Sequence, residues 1–563
     1  MTNAEIMAVL KFLEETRSPA VSALGVETTD PVWMMTVALL RRHYRKNATT
    51  ISSVAEASGT PYTTARRHID RMIADGLFRR RRDPRDRKLV YIEPTELLLY
   101  NFNEYCMLIK NQIGSVFGRS GTPKNDFVFG GAYLAANIIS SPQKLGTPLG
   151  LDGPIRLLLK DDPTFLCLSR LVPEITASLG TQISLEILNY QDLRSRIDEN
   201  ASLLISEYDI VAVDMPWLGR LTSQGGLKSL DPHIQKSRTN VFDFYAAAWE
   251  GSQCHGEIMG LPFAPTAELF LYRKDIFEAH DLDPPVTSNQ VVAAARKICA
   301  PDKDLYGISW NAALGQPLGQ TFIQVQAAFG QPPVSLRQFG GGFDLNTPFE
   351  ELRPTLYTED GRAAVEFLRQ LAEVSPPGIE RMAWEARTAA YSKGQTAMTY
   401  EWSSRTAKFE ENLLSPARGV TAYLPHPSRR ASAARIAPMG GFVLSLPANL
   451  AIERVDAAWR TIEWLSSPEL TKLLINNGSP ANFRHSVSAD PELQDASPVL
   501  KVMHSMEKLG QLQLWPRPPI PNMMSIMQIV GEEVHGAIWG GVSTRLALQR
   551  AESRISPLFK NRR

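Results

Sequence analysis

The chain has 563 residues, more than a single hydrophobic core sustains, so two or more domains are expected. Its hydrophobic content of 44% and charged content of 21% exclude wholesale disorder. The net charge of +1 conceals an asymmetry. From Arg41 to Lys88 there are 14 Lys/Arg against 5 Asp/Glu, so a compact basic module sits in an otherwise mildly acidic chain, and a polyanion partner is expected for that module alone.

The apolar run within Met1–Ala20 is broken at Lys11 and followed by Glu14 and Glu15, the pattern of an amphipathic helix rather than of a secretory leader. No stretch approaches the roughly 18 uninterrupted apolar residues of a membrane span. Cys106, Cys167, Cys254 and Cys299 are widely spaced, without a CxxC pair. A cytoplasmic chain with reduced thiols and no membrane partner is expected.

Asp30-Pro31 opens a helix with an apolar stripe of Val32, Met35, Leu39 and Leu40. A short helix over Thr50–Ala57 and the turn Ser58-Gly59 follow. Thr60-Pro61 is expected to cap a third helix, which runs to Ala74 and is ended by Gly76. Ala65, Ile69, Met72 and Ile73 face inward there. Phe78–Arg82 and Leu89–Glu93 read as a basic hairpin turning at Asp83–Asp86. Two helices joined by a glycine turn, the second with hydroxyl and Arg side chains near its start, fit a helix-turn-helix. Thr63, Thr64, Arg66 and Arg67, with Arg71, are the candidates for reading double-stranded DNA; Arg81, Arg85 and Arg87 of the hairpin are candidates for backbone contacts.

The segments SVAEASGTPYTTARRHIDRM and GLFRRRRDPRDRKLVYIEPT resemble the MarR-type winged helix family over roughly residues 30–96, with Asp83, Asp86 and Arg87 at the wing motif. That resemblance implies a homodimer formed through flanking helices, for which Ala4–Glu15 and Glu96–Phe117 are available.

Residues Gly118–Gly153, rich in Gly, Ser and Pro, read as a connector with one helical patch near Ala132–Ile139. Beyond it, Ile155–Leu159, Ile183–Leu188 and Tyr208–Val213 are apolar strands, and Leu166–Leu179 is a helix; such alternation predicts a mainly parallel α/β sheet. Ligands in such sheets sit off the carboxyl ends of the strands. Asp161 and Asp162 follow the first strand, and Asp214 and Trp217 the third, a set suited to stacking on a sugar face and accepting its hydroxyl protons.

Four later blocks, YDIVAVDMPWLGRLTSQGGLKSLDP, GEIMGLPFAPTAELFLYRKDIFEAHDLDPP, AAYSKGQTAMTYEW and GGFVLSLPANLAIERVDAAWRTIEWLSSPEL, resemble the family 1 extracellular solute-binding proteins of sugar ABC transporters over about residues 154–556. The resemblance implies two lobes closing on a ligand, and adds Thr266, Glu401, Trp402, Gly441, Trp515 and Arg517 to Asp161, Asp162, Asp214 and Trp217 as site residues. Trp459 and Trp464, at helical spacing, are expected in the core.

The expected architecture is α/β multidomain. It comprises a mainly helical winged helix domain with dimerisation helices (1–118), a linker (119–152), and a periplasmic-binding-protein-like (type II) two-lobed α/β domain (153–563). No GxxxxGK[ST], HExxH or GxSxG constellation occurs, so no catalytic residue, metal or cofactor is expected. Together these features predict a cytoplasmic, DNA-binding transcriptional regulator that senses a mono- or oligosaccharide. The alternative is a solute-binding component of a carbohydrate ABC transporter.

Overall fold

The computed structural model describes Leu10 and residues 31–82, 90–103, 105–106, 119–120, 127–128 and 149–560, apart from 238, 340–341, 411, 413 and 481. The chain divides into two compact units, Met1–Ser141 and Pro142–Arg563.

In the first unit, helix α1 (Pro31–Tyr44) buries Met35, Val37, Leu39 and Leu40. Helix α2 (Ile51–Glu56) begins at Thr50, whose side chain accepts from the Ser53 N–H in a capping box. Helix α3 (Tyr62–Ala74) buries Ala65, Ile69 and Met72 and is followed by Gly76 at φ +72°. Its start departs from expectation. Pro61 occupies the N-cap position without a side-chain bond, and the Thr60 hydroxyl is 2.9 Å from that of Ser58. Strands β1 (Phe78–Arg82) and β2 (Val90–Pro94) pair antiparallel from Phe78↔Pro94 to Arg82↔Val90. Phe78 and Ile92 close a core with Met35, Leu39, Val54 and Ile69. Arg85, Arg87, the hairpin tip, nearly all of Ala4–Glu15, the end of Glu96–Phe117 and the patch near 132–139 lie outside the described residues.

The second unit starts with three parallel strands, β3 (Ile155–Lys160), β4 (Ile183–Leu188) and β5 (Ile210–Asp214). The helix expected over Leu166–Leu179 is two, α4 (Pro163–Arg170) and α5 (Val172–Leu179). Pro173 has no N–H to continue the first helix, so the chain restarts at Leu171. Helix α6 (Tyr190–Ala201) follows β4, with Asn189 accepting from two backbone N–H groups at its start.

Strand β6 (Leu261–Arg273) is buried along all 13 residues. With β7 (Tyr306–Ser309), β8 (Thr396–Trp402), β9 (Thr421–Leu424), β10 (Ala437–Ser445) and β11 (Leu512–Gln513) it completes a nine-stranded sheet. The main path runs β7-β8-β6-β10-β5-β3-β4, with β9 on β6 and β11 on β10. The first half of β6 pairs with β10, from Leu261↔Leu444 to Ala267↔Met439; the second half pairs with β8, from Glu268↔Trp402 to Tyr272↔Met398. One strand thus serves two lobes and changes partners between Ala267 and Glu268. The first lobe carries β3, β4 and β5. The second carries β7, β8 and β9 with helices α7 (Gln316–Ala328) and α8 (Trp384–Ser392). β10 is the return crossing. Helix α9 (Ile452–Leu465), in which Trp459 and Trp464 are buried, packs on β6, and its Arg454 pairs with Asp209 at the start of β5. The segment from β11 to helix α10 (Met523–Ile538) runs past Gly219 and delivers α10 onto α7.

Candidate functional site

The strand order brings the carboxyl end of β5, the midpoints of β6 and β10, and the end of β8 into one place. Asp214 ends β5 opposite Phe442 of β10. The Tyr190 hydroxyl, at the start of α6, donates to Asp214 Oδ2 at 2.7 Å. Burial raises the Asp214 carboxyl above its usual range, against the nearby charge of Arg517 and the Tyr190 bond. Trp217, 1% exposed, leans on Tyr190 with centroids 4.8 Å apart.

Gly441 lies opposite Pro265, and Gly440 opposite Thr266. The Thr266 hydroxyl is 3.0 Å from that of Ser403 and accepts from the Ser404 N–H, fixing the crossing to the turn after β8. Trp402, 7% exposed, ends β8, and the Arg517 guanidinium covers its ring at 4.9 Å. Arg517 is 4% exposed, and its Nε makes no hydrogen bond among the described residues. Trp515 lies against Phe343 at 4.6 Å.

Among the expected ligand residues, Asp214, Trp217, Thr266, Trp402, Gly441 and Arg517 therefore share one buried neighbourhood. The others have different surroundings. Asp161 is exposed and paired with Lys160, an amine that burial lowers to about 8. Asp162 is the N-cap of α4, accepting from Thr164 N at 3.1 Å, and burial raises its carboxyl. Glu401 turns inward to Arg387 and Thr388 and accepts from the Trp402 N–H at 2.9 Å.

Two neighbours escaped the sequence reading. Tyr190 follows the carboxyl end of β4, where the strand-end rule would have found it. Glu268 is a lone carboxylate in an apolar run, which signals a buried partner; here it is Arg387, at 3.0 Å. Among the described residues, no group of three or more His, Cys, Asp or Glu is placed to hold a metal ion, and no helix is long and apolar enough to cross a membrane.

In the first unit, Thr63, Thr64, Arg67, Arg71 and Arg81 are exposed, but much of the arginine charge is locally engaged. Arg66 pairs with Asp70 at 3.4 Å, Arg71 with Asp75 at 3.8 Å, and Arg81 with Glu93.

Residues 177–472 match the family model of the bacterial extracellular solute-binding proteins. A probable amino-acid ABC transporter periplasmic-binding protein of Sinorhizobium fredii is 24% identical over 400 residues, covering 68% of this chain and 84% of that protein. A mannitol-binding protein of Pseudomonas aeruginosa is 21% identical over 382 residues, covering 65% of this chain and 84% of the relative. Among solved structures, an ABC transporter solute-binding protein from Agrobacterium radiobacter K84 in complex with ribitol superposes with a TM-score of 0.65 at 24% identity, covering 73% of this chain and 100% of that one. One from Agrobacterium vitis S4 with bound D-mannitol gives 0.61 at 20% identity, covering 72% and 98%. At these identities the structures establish the fold, the two-lobed periplasmic-binding-protein-like α/β arrangement.

These findings overturn the expectation of a cytoplasmic transcriptional regulator bound to operator DNA. One relative is a probable periplasmic-binding protein of an ABC transporter, another binds mannitol, and the matched family is an extracellular one. Thr63, Thr64, Arg66, Arg67, Arg71, Arg81, Arg85 and Arg87 lose their role as DNA contacts with it. The charge count over Arg41–Lys88 misled because it stopped short of Glu93, which the hairpin folds back onto Arg79 and Arg81. The alternative reading is the one these relatives favour, and over more than half its length the chain belongs to the bacterial extracellular solute-binding protein family.

Proposed function

We propose that this chain is the solute-binding component of an ABC transport system and captures a neutral, hydroxyl-rich molecule, a sugar alcohol or sugar, between its lobes. It binds its ligand without turning it over. The carrying observation is the pairing of opposite capacities in one buried neighbourhood. Asp214, backed by Tyr190, accepts hydroxyl protons; Arg517, spread over Trp402, donates to hydroxyl oxygens. A hydroxyl does both, and a molecule with many of them uses both without bringing a charge of its own.

Trp217 and Trp402 supply apolar faces for the carbon skeleton, and Trp515 extends that surface. Asp161 and Asp162 serve from the end of β3, Thr266 and Gly441 shape the crossing, and Glu401 positions Trp402. The ribitol and mannitol ligands of the similar proteins support the same class.

For the remainder we propose a winged helix fold within residues 1–118, a linker over 119–152 and the two-lobed domain over 153–563. The helix–helix–helix–hairpin order of the first unit supports the first of these.

The test is a thermal shift of the full chain with ribitol, D-mannitol and maltose, with amino acids as controls. A ligand at 100 times its Kd adds about 2.7 kcal/mol of stability. A shift with amino acids and none with any polyol or sugar would overturn the proposal.

A further inference from the structure

Around Glu268, at the midpoint of β6, lies a second polar group that the site above does not use. Three buried side chains of the second lobe meet it, Gln320 on α7, Arg387 on α8 and His426 two residues past β9; Gln324 follows Gln320 by one turn of α7, and Asn311 lies two residues past β7. All six are buried. Arg387 bonds Glu268 and Glu401, Gln320 Nε2 donates to Glu268 at 3.5 Å, and His426 Nε2 stands 3.6 Å from Glu268 Oε2.

The ionic part of this group is balanced. Glu268 and Glu401 face Arg387, and Arg405 holds Glu385 at 2.7 Å and approaches Glu401 at 3.6 Å, so each of these carboxylates faces a guanidinium group. Burial lowers the His426 imidazole to about 3, which leaves it neutral.

The amides are not balanced. Asn311 and Gln324 are both 0% exposed, yet neither the oxygen nor the nitrogen of either amide makes a hydrogen bond among the described residues. Buried amides in that state are costly, and folded proteins keep them where something else completes their bonds.

Position indicates what that something is. β7 and β8 are parallel with Ser309 beside Thr399, so Asn311, two residues on, and Trp402, three residues on, leave the sheet at the same end. The Thr321 hydroxyl donates to the Asn311 carbonyl at 2.9 Å, which ties α7 to that end, and Gln324 lies one turn further along. Glu268 stands opposite Trp402 in the β6–β8 pairing, and Arg517 covers the Trp402 ring, so this group and the first site adjoin.

We infer that Asn311 and Gln324 form a hydroxyl-binding subsite of the second lobe, which holds the far end of the ligand while Asp214 and Arg517 hold the near end. Each amide offers a donor and an acceptor with no net charge, as a hydroxyl does. The ligand class narrows to a neutral molecule with hydroxyls at both ends. This rests on the reading of the chain as a receptor for hydroxyl-rich solutes.

The experiment is isothermal titration of the full chain and of Asn311→Leu and Gln324→Met with D-mannitol, ribitol and maltose, with a melting curve of each protein alone. These changes delete unpaired polar atoms at similar volume, so the ligand-free melting temperature holds or rises. Affinity falls about tenfold for each, the loss of one net hydrogen bond. Binding of D-mannitol against 1-deoxy-D-mannitol by the unmodified chain repeats the test without any substitution, and the same tenfold loss is expected. Unchanged affinity in both variants and toward the deoxy analogue overturns the subsite while leaving the receptor reading intact. Failure of the unmodified chain to bind any of the three overturns both.

Discussion

The Arg517 guanidinium carbon lies 4.9 Å from the centroid of the Trp402 ring, joining the segment between β11 and α10 to the end of β8. The ring draws the cation to its face, and the Nε, without a hydrogen bond among the described residues, leaves donor capacity for a guest. Arg517→Gln removes the charge beside Asp214 but no side-chain hydrogen bond among the described residues. Its melting temperature is expected to fall, because the buried Asp214 carboxyl loses a neighbouring cation, and affinity for the best polyol falls 10- to 100-fold, the range for hydrogen bonds to charged groups. Titration calorimetry checks this, and equal affinities would remove Arg517 from the site.

Gly440 makes the same point without touching a charge. A Cβ there would come within 1.9 Å of Arg517 Nη2 and 3.5 Å of the Trp402 ring. Gly440→Ala is expected to displace the guanidinium and weaken binding at least tenfold. Gly441→Ala behaves differently. Its φ of +102° and the Ala264 carbonyl 2.3 Å from a Cβ strike the backbone itself. The expected outcome is a stability loss of more than about 2 kcal/mol by urea unfolding. A Gly441→Ala protein as stable as the parent would contradict the strain at this crossing.

Arg387 is fully buried between Glu268 and Glu401. Removing it alone strands Glu268 and leaves Glu401 with only Arg405, 3.6 Å away, so Arg387→Met is expected to cost about 3–5 kcal/mol. Adding Glu268→Gln and Glu401→Gln removes the stranded charges, so the triple variant recovers most of that loss. Denaturant midpoints of the single and triple variants decide the matter. No recovery would mean that the cluster stabilises through shape rather than charge balance.

What the sequence made legible follows from the range of the forces involved. β3, β4 and β5 were readable because short apolar runs bounded by turn residues carry their own signal, and the place of Asp214 and Trp217 at a strand end was readable because they follow such a run. The partner exchange within β6 was not, since a continuous apolar strand looks the same whichever neighbour pairs with it. Asn311, Gln320 and Gln324 resemble ordinary surface amides until the fold carries them inward. The basic hairpin shows the converse. Its arginines look free along the chain, and Glu93 reaches them only through antiparallel pairing.

Asp209 gives a pH test of the first lobe. Its fully buried carboxylate is held by Arg156 at 3.0 Å and by Arg454, which ties β3 and α9 to the start of β5. Burial alone would raise its pKa, but hydrogen bonds from Arg454 and Arg156 outweigh that and hold it below the usual carboxylate value. A group whose folded pKa is depressed adds stability above its unfolded value, about 4, and loses it as pH falls through the folded value. Asp209→Asn is therefore expected to be less stable than the parent by about 3 kcal/mol at pH 7. The gap should persist to about pH 5 and shrink progressively below about pH 4 as the parent's own carboxylate takes up a proton. Melting curves of both proteins at pH 7, 5 and 3 measure it. A gap that stays constant across the three would show that the amide disrupts packing and that the ion pairs contribute nothing.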